Sequence, residues 1–561
     1  MQKRWIVKQK KTDDIIDQLL INRGIPLSEK NRFLHPDFSK DLENPFKIKD
    51  MDKLVKRFEK AIKNNEKIGI FADYDADGIP GAALLKRVCE ILGLDVSVYI
   101  PSRKEGYGLN IKGIQELKDK GCSLLISIDL GITNKKEVEF AKKIGMDVVI
   151  TDHHEIQDEK FPKQADIIIH THLSKDYINK DLAGGAVAYK IAQAFSEKLG
   201  KPTTRELKWL LDLPAICTIC DIVPLTGENR LLAKYGLIVL SKTKNLGLKK
   251  MYEIAAIDEN KMDAYTVGFL IGPRINAPGR MQHAQLSYFL LTTNDDKEAK
   301  EIANEINNIN ISRQKSLEQI LAQALRQIKK DKLDKNKIIV IVGKNDWPAG
   351  LIGLVSSKIT DQYCRPSIVF APEDGMLRGS ARSIDKFDIV DNLLKTKELL
   401  VSVGGHTKAA GLALKKENYN KFYKKICHIA NEVLTDEDLV KEIEIEARLQ
   451  EKHLNLGLIK DLKLFEPFGL GNPKPVFLLE NAKIKLLTWM GKDKNHLKIK
   501  IVNNYQSGPG KKEFDIISFN CKEELKHLKN NDNIDVVFTL EENIWNGRKS
   551  LQLKLVDIKK I

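Results

Sequence analysis

The sequence predicts a multidomain α/β protein: a parallel-sheet domain, a long connecting helix, a second α/β domain and a C-terminal all-β barrel. Three observations predict this organisation. Strand-like runs alternate with helical patterns over residues 67–170, apolar residues recur at helical spacing over 296–330, and about five strand-like runs follow residue 475. Because 561 residues exceed what one core supports, we expect roughly three or four domains.

The first domain is expected over residues 46–295, after an N-terminal segment of residues 1–45. Its strand-like runs are KIGIFA, DVSVYI, LLISI, DVVIT and DIIIH, and helical patterns separate them. Such alternation is typical of a parallel sheet with crossover helices, whose ligands collect at the carboxyl ends of the strands. Asp73, Asp129 and Asp152 directly follow three of the runs. We therefore expect three carboxylates at one edge of the sheet.

The middle of the chain predicts a connecting helix over residues 296–332 and a second α/β domain over 333–455. Ile302, Ile306, Ile309 and Leu317 recur between charged residues at a spacing typical of an amphipathic helix. Beyond them, KIIVIVG, PSIVFAP and LLVSVGG begin the second α/β pattern. The stretch GLGNPKP then indicates a linker or a domain edge.

The final stretch, residues 456–561, predicts a small barrel, and its five-strand plan favours an OB-fold. From Val476 to the end, 16 Lys or Arg stand against 11 Asp or Glu, and Trp489 and Trp545 lie among them. Basic residues with aromatic faces are typical of a groove for single-stranded nucleic acid. The alternative, that both tryptophans belong to the barrel core and the lysines are only solvated, stays open.

Composition narrows the class of protein. The formal charge of +15 favours an anionic partner, most commonly nucleic acid. We find neither a secretion signal nor 18 consecutive apolar residues, and the seven cysteines suit reduced thiols, so we expect a cytoplasmic protein that does not contact membranes. Cys217 and Cys220 form a CxxC with no partners for a zinc site, which predicts a structural thiol pair.

The densest chemical signal is the alternation of Asp73, Asp75 and Asp77 before Gly78. Three carboxylates this close repel one another unless a cation lies among them. Hard divalent ions such as Mg²⁺ or Mn²⁺ prefer oxygen ligands. A calcium loop of the EF-hand type is disfavoured because Leu84 stands where its glutamate belongs. A solvated acidic turn is the other alternative, but apolar runs flank the motif on both sides.

Two further signals are expected at the same edge. The run Thr151-Asp152-His153-His154-Glu155 follows a strand, and histidine nitrogen beside carboxylates suits Mn²⁺ better than Ca²⁺. The alternative is a surface loop in which Asp152 caps a helix. Asp221 lies in the apolar run LPAICTICDIVPL, where an isolated acid is costly to bury unless it is paired or ligated.

These motifs in this order resemble the DHH phosphoesterase family, and within it the single-strand-specific exonucleases. The resemblance runs from about residue 15 through the barrel. The segments that carry it are INRGI, FLHPDF, PSRKEGYGLN, LAGGAVAYK, DIVPLTGENR, GPRINAPGRM, RPSIVFAP, RGSARSI, GGHTKAAG and FEPFGLGNPKP. Pro80 and the run His170-Thr171-His172 depart from the family pattern without touching an expected ligand.

The resemblance implies a two-ion centre with Mn²⁺ or Mg²⁺ as cofactor. It implies that Asp73 and Asp75 hold one ion, that Asp77, His153 and Asp221 hold the other, and that Asp129 bridges them. Two such ions stabilise both the attacking and the leaving oxygen of a phosphodiester. His154 is then expected to contact phosphate and not metal.

The resemblance also implies which residues bind the strand. The expected substrate contacts, to which we add the two tryptophans of the barrel, are Arg103, Arg274, Asn276, Arg280, Ser380, Arg382, Gly404, Gly405, His406, Trp489 and Trp545. Arginine engages phosphate oxygens in bidentate fashion, and glycines let backbone amides approach an anion. Each arginine taken singly is equally well explained as a surface charge.

The implied function is a 5′-to-3′ exonuclease that is specific for single-stranded DNA, releases mononucleotides and serves DNA repair and recombination. A single-stranded-DNA-binding protein and a repair helicase are the expected protein partners. One alternative is a DHH enzyme that cuts very short RNA or a cyclic dinucleotide, which would not need the basic barrel. The other is an inactive scaffold, but none of the expected ligands is missing. An ATP-driven helicase is disfavoured because no G-x-x-x-x-G-K-[ST] motif occurs.

Overall fold

The computed structural model describes residues 3–373, 375–503, 512–521, 525–545 and 547–561. These residues form two compact units. One unit contains residues 43–223 and 235–441, and the other contains 3–42, 224–234 and 442–561. Among the described helices, none combines the length and the apolar character needed to span a membrane.

Strands and helices are numbered along the chain. The strands are β1 Arg4–Val7, β2 Lys67–Ala72, β3 Val96–Tyr99, β4 Cys122–Ile128, β5 Asp147–Thr151, β6 Ile167–Ile169, β7 Ile339–Val342, β8 Ser367–Glu373, β9 Met376–Arg382, β10 Ser402–His406, β11 Ala409–Lys415, β12 Glu442–Ile445, β13 Ala447–Arg448, β14 Phe477–Met490, β15 His496–Asn503, β16 Glu513–Ser518, β17 Asn533–Trp545 and β18 Arg548–Lys560. The helices are α1 Ile15–Asn22, α2 Lys30–Leu34, α3 Phe38–Asp41, α4 Met51–Lys63, α5 Gly78–Ile91, α6 Ile111–Asp119, α7 Lys135–Lys143, α8 Gly184–Leu199, α9 Thr204–Trp209, α10 Asp212–Cys220, α11 Gly227–Leu240, α12 Leu246–Ala255, α13 Gly272–Met281, α14 Gln285–Thr292, α15 Asp296–Lys330, α16 Ala349–Tyr363, α17 Ile389–Leu394, α18 Tyr419–Val433 and α19 Leu456–Lys463.

The first sheet confirms the predicted parallel arrangement. Its strand order is β3-β2-β4-β5-β6, and every pairing is parallel. Leucine, isoleucine and valine side chains of β4, β5, α6 and α7 form one buried cluster on the sheet. Because all strands run the same way, their carboxyl ends meet at one edge, where Asp73, Asp129 and Asp152 follow β2, β4 and β5.

The connecting helix is confirmed as α15, and it packs on the second α/β region. The second sheet has the order β10-β11-β9-β8-β7, with β7 and β8 parallel and the other pairs antiparallel. One apolar cluster joins the face of this sheet to α15 and α16, through residues such as Leu317, Ile320 and Leu351. A second cluster covers the opposite face with α17 and α18, through residues such as Phe422.

The other unit contains the predicted barrel. Strands β14, β15, β16, β18 and β17 pair in that order, and β14 also pairs with β17, which closes the sheet. Residues 3–42 join this unit, since β1 pairs in parallel with β12 and Leu19, Leu20 and Leu34 pack into the barrel core. Arg230, from residues 224–234, donates hydrogen bonds to the backbone carbonyls of Phe33 and Phe465.

Candidate active site

The loop after β2 is shaped by its own carboxylates. Asp75 accepts hydrogen bonds from the backbone amides of Asp77 and Gly78 through Oδ1, at 2.8 and 3.2 Å. Gly78 begins α5 so close to Asp73 that a Cβ there would lie 2.6 Å from the Asp73 carbonyl oxygen. The sequence D-x-D-x-D-G therefore folds into a tight strand-to-helix turn that needs glycine at its last position.

Two glycines at the start of α8 leave room for the side chains of Asp77 and Asp129. The backbone amides of Gly184 and Gly185 donate to the Asp77 carboxylate at 2.6 and 2.7 Å. A Cβ on Gly184 would lie 2.5 Å from the Cβ of Asp129. The Cys217 thiol donates to the backbone carbonyl of Asp77, and neither Cys217 nor Cys220 forms a disulfide. The segment LAGGAVAYK thus forms the wall of the acidic site.

Asp152 orients the two histidines. Its Oδ1 accepts from the backbone amides of His153 and His154 and lies 2.7 Å from Nδ1 of His154. Burial alone would raise the pKa of Asp152, but the hydrogen bond and charge of His154 outweigh it and lower this pKa to about 2. Burial would lower the pKa of His154, but Asp152 raises it to about 9. His154 is therefore a cation at neutral pH.

His153 is neutral by contrast, because burial and the charge of His154 lower its pKa to about 3. Its Nε2 lies 3.1 Å from Asp129 Oδ1, 3.6 Å from Asp221 Oδ2 and 3.7 Å from Asp77 Oδ2. A neutral imidazole beside three carboxylates suits a divalent transition metal.

The structure brings all six expected ligands together. Candidate ligand atoms within 4.8 Å of one another occur in groups, and those groups are Asp73-Asp75-Asp129, Asp77-His153-Asp221 and Asp129-His153-His154. Within the described ranges, buried Asp73 Oδ1, Asp129 Oδ1 and His153 Nε2 have no hydrogen-bond partner. Unpaired buried acceptors are costly, and a cation would satisfy them, so the residues fit divalent metal ions.

The acids also repel one another. Burial and the charge of Asp75 raise the pKa of Asp77 to about 6, and burial and the charge of Asp77 raise that of Asp221 to about 9. The pKa values of Asp73 and Asp129 are raised well above the usual range, again by burial first and neighbouring acids second. Positive charge placed among these acids would stabilise their ionised forms.

Tyr107 is a site residue that the sequence reasoning missed. Its hydroxyl lies 3.0 Å from the His154 ring and donates to the Asp129 backbone carbonyl at 3.3 Å. It lies within the segment PSRKEGYGLN, so the motif was visible, but nothing in the sequence singled out its tyrosine.

Two of the arginines expected to bind substrate, Arg103 and Arg280, lie near the loop after β2. Arg103 stacks over the Tyr74 ring at 4.6 Å and donates to the carbonyl of Gly279. Arg280 donates to the carbonyl of Gly350, and burial together with the charge of Arg103 lowers its pKa to about 10. Both therefore lie beside the acidic loop.

Arg274 and Asn276 make internal contacts. Arg274 donates to the Asn307 side chain on α15 and to the carbonyl of Leu270. The Asn276 side chain accepts from the backbone amide of Ala76 at 3.0 Å. These two residues fix α13 to its neighbours.

The second sheet contributes the remaining polar groups. Arg382 donates to Ser380 Oγ at 3.2 Å, and a Cβ on Gly353 would lie 2.9 Å from that oxygen. Gly404, Gly405 and His406 are exposed on the edge strand β10. His406 Nδ1 lies 3.3 Å from Glu155, the residue after the histidine pair.

Both tryptophans lie on barrel strands, Trp489 on β14 and Trp545 on β17. Trp489 is partly buried and packs against the barrel core. Trp545 ends β17, and its side chain lies outside the described residues.

Comparison with known proteins agrees with this arrangement. Three family profiles match: the DHH family N-terminal domain over residues 67–218, the DHHA1 domain over 334–432 and the RecJ OB domain over 445–557. The single-stranded-DNA-specific exonuclease RecJ of Bacillus subtilis is 36% identical over 547 residues, which cover 97% of this chain and 67% of that protein. The RecJ of Haemophilus influenzae is 33% identical, with 92% of both chains covered.

Solved structures match over the full chain. RecJ from Thermus thermophilus in complex with Mn²⁺ superposes with a TM-score of 0.82 and 28% identity, covering 100% of this chain and 80% of that one. The Mg²⁺ complex of that protein gives a TM-score of 0.76 at 26% identity, covering 100% and 78%.

The fold and the site define a phosphoesterase of the DHH class. Two relatives are more than 30% identical, and the match covers two thirds or more of their length, so they identify the family within this class. The chain belongs to the RecJ family of single-stranded-DNA-specific exonucleases, and the predicted fold class, including the OB barrel, is confirmed.

Proposed function

We propose that this chain degrades single-stranded DNA from the 5′ end and releases mononucleotides, by a mechanism that uses two divalent ions. As a RecJ-family protein it is a metal-dependent single-strand exonuclease that takes Mn²⁺ or Mg²⁺. The observation that supports the two-ion proposal is the ligand geometry. One group of possible ligand atoms comes from Asp73, Asp75 and Asp129, a second comes from Asp77, His153 and Asp221, and Nε2 of His153 lies 3.1 Å from Oδ1 of Asp129.

In this proposal Asp73 and Asp75 hold one ion, Asp77, His153 and Asp221 hold the other, and Asp129 bridges them. Two bound ions activate water and stabilise charge on the attacking and leaving oxygens of the phosphodiester. The chain's own part is to fix the ligands: the amides of Gly184 and Gly185 hold Asp77.

His154 is the proposed phosphate contact beside the ions. Asp152 keeps its ring protonated and oriented, and the Tyr107 hydroxyl lies against it. A fixed imidazolium offers a charge-assisted hydrogen bond to a phosphate oxygen, and the bond strengthens as negative charge develops there.

The strand is proposed to bind along both α/β regions of the larger unit. Arg103 and Arg280 lie beside the acidic loop, and Ser380 and Arg382, with Gly404, Gly405 and His406, line the second sheet. Since Arg274 and Asn276 are engaged with protein groups, we propose that they position α13 and do not grip DNA. The barrel is the proposed binding surface for a longer strand.

We propose that the enzyme acts in the cytoplasm in DNA repair and recombination, together with a single-stranded-DNA-binding protein and a repair helicase. Family membership and the charge of +15 support a role on nucleic acid.

End-labelled single strands test the proposed activity. With Mn²⁺ or Mg²⁺ we expect a 5′ label to be released first and as a mononucleotide, while chelator stops the reaction and blunt duplex resists. Attack only from the 3′ end, or equal decay of duplex and single strand, would contradict the proposal.

A further inference from the structure

The long helix α15 contains two buried polar side chains without partners. Asn310 is 1% exposed and Arg313 is 8% exposed. Within the described part of the chain, neither amide atom of Asn310 nor Nε of Arg313 has a hydrogen-bond partner. The two residues are three apart, as are Asn307 and Asn310, so all three lie along one face of the helix.

This face points into the protein. Asn307 accepts a hydrogen bond from Arg274 of α13. Leu317, one turn beyond Arg313, packs in a buried cluster with Leu351 of α16, and Met281 at the end of α13 packs against that cluster. Arg313 is therefore enclosed at the junction of α13, α15 and α16.

The junction is positive. Arg280 reaches across it to the carbonyl of Gly350 at the start of α16. Burial lowers the pKa of Arg280 most, and the charges of Arg103 and then of Arg313 lower it further. Burial also lowers the pKa of Arg313 most, and the charge of Arg274 adds to that effect. Among the described residues, no carboxylate pairs with Arg274, Arg280 or Arg313. A buried guanidinium without a counter-charge destabilises a protein unless an anion binds there.

We propose that Asn310 and Arg313 form, with Arg280, a binding site for a phosphate group of the DNA strand other than the one being cut. A Cβ on Gly279, the residue before Arg280, would lie 2.8 Å from the backbone carbonyl oxygen of Tyr74, so this site adjoins the acidic loop after β2. Arg313 and Asn310 are positioning residues, since they would place the strand and not touch the reacting bond. The inference rests on the proposed function, because the strand supplies the phosphate.

The test compares Arg313→Met with Arg326→Met, which changes an exposed arginine on the same helix. For Arg313→Met we expect KM for a single-stranded oligonucleotide to rise about tenfold with kcat changed far less, and the salt slope of binding to fall by about 1. Because the variant removes an unpaired buried charge, Tm without DNA should rise by about 1–3 °C. Arg326→Met should match the wild type.

Three further measurements sharpen the test. Inorganic phosphate should raise the Tm of the wild type more than that of Arg313→Met. Asn310→Leu, which also removes unpaired buried polar atoms, should raise both KM and Tm, but by less than Arg313→Met does. Oligonucleotides with a 5′-phosphate or a 5′-hydroxyl show which phosphate group the site binds. If Arg313→Met raises KM equally for both oligonucleotides, the site binds an internal phosphodiester. If it raises KM only for the 5′-phosphorylated oligonucleotide, the site binds the terminal phosphate.

The outcomes separate the two proposals. An Arg313→Met protein with lower Tm than the wild type, or with KM and salt slope within twofold of it, would overturn the site, because Arg313 would then be structural. A wild-type protein that does not cut single strands would instead overturn the proposed function, and the phosphate-dependent Tm shift would still test the anion site.

Discussion

Nε2 of His153 lies 3.1 Å from Oδ1 of Asp129, and neither atom has a hydrogen-bond partner among the described residues. The ring of His153 is neutral at physiological pH, since its pKa is lowered to about 3 by burial and by the charge of His154. A buried imidazole nitrogen and a buried carboxylate oxygen that face each other in this way are the arrangement expected of two ligands that share a cation.

Loss of the bridging carboxylate should stop the reaction. We expect Asp129→Ala to lower kcat more than about a thousandfold, because both ions lose a ligand. Asp129 has a φ of 63°, a left-handed conformation that asparagine tolerates. Asp129→Asn is therefore the matched variant that keeps the turn, and it should be equally inactive with an unchanged circular dichroism spectrum. Near wild-type turnover in either variant, after contaminating nuclease is excluded, would refute the bridge.

Asp152 should set the pH range of phosphate binding. Its carboxylate holds the pKa of His154 at about 9 against burial, so His154 is charged below that pH. In Asp152→Asn we expect His154 to lose its proton at a lower pH, and KM to rise between about pH 6.5 and 9 while the wild-type KM stays level. The measurement is KM against pH at saturating Mn²⁺. Parallel profiles for both proteins would disprove the role of His154.

Metal should stabilise the protein more as pH rises. The folded pKa values of Asp77 and Asp221 are raised, to about 6 and about 9, above the unfolded value near 3.9. Between these limits the folded state binds more protons than the unfolded state, so the stability that protonation contributes is lost with rising pH.

In chelator, Tm should therefore fall from about pH 5 to about pH 9, and the gain in Tm on adding Mn²⁺ should grow over the same range, because metal needs ionised ligands. Asp221→Asn is the control, and its Tm in chelator should depend less on pH than that of the wild type. A Mn²⁺ effect independent of pH would argue against ions among these acids.

The barrel should matter for long strands only. The turn after Trp489 contains Lys492 and Lys494, both exposed. Changing both to alanine should weaken binding of a long single strand and lower its salt slope by about 2, while turnover of a very short oligonucleotide stays the same. Lys421→Ala, an exposed lysine of the other unit, is the control. An unchanged salt slope would indicate that this part of the barrel does not bind DNA.

Point substitutions suit this test better than truncation after about residue 475. Leu19, Leu20 and Leu34 pack into the same core as the barrel strands, so deletion of the barrel would expose them. The sequence could not predict this association, because β1 and β12 lie more than 400 residues apart in the chain and their pairing leaves no local pattern.

The acidic site was predictable because it follows from local rules. Carboxylates after parallel strands must meet at one edge, and Asp73 and Asp129 do so. The supporting residues were harder to predict. Tyr107 and the orienting bonds of Asp152 depend on loop geometry. Asn310 and Arg313 lie in a stretch whose apolar spacing predicts the buried face of a helix, but polar residues at buried positions of that stretch resemble ordinary solvent-facing residues in the sequence.

The number of Mn²⁺ ions bound per chain tests the central claim most directly. Equilibrium dialysis at neutral pH should give two ions for the wild-type protein and fewer than two for Asp129→Asn at the same free Mn²⁺. One ion or none in an active wild-type protein, or two ions still bound with equal affinity after the loss of Asp129, would contradict the bridged two-ion site.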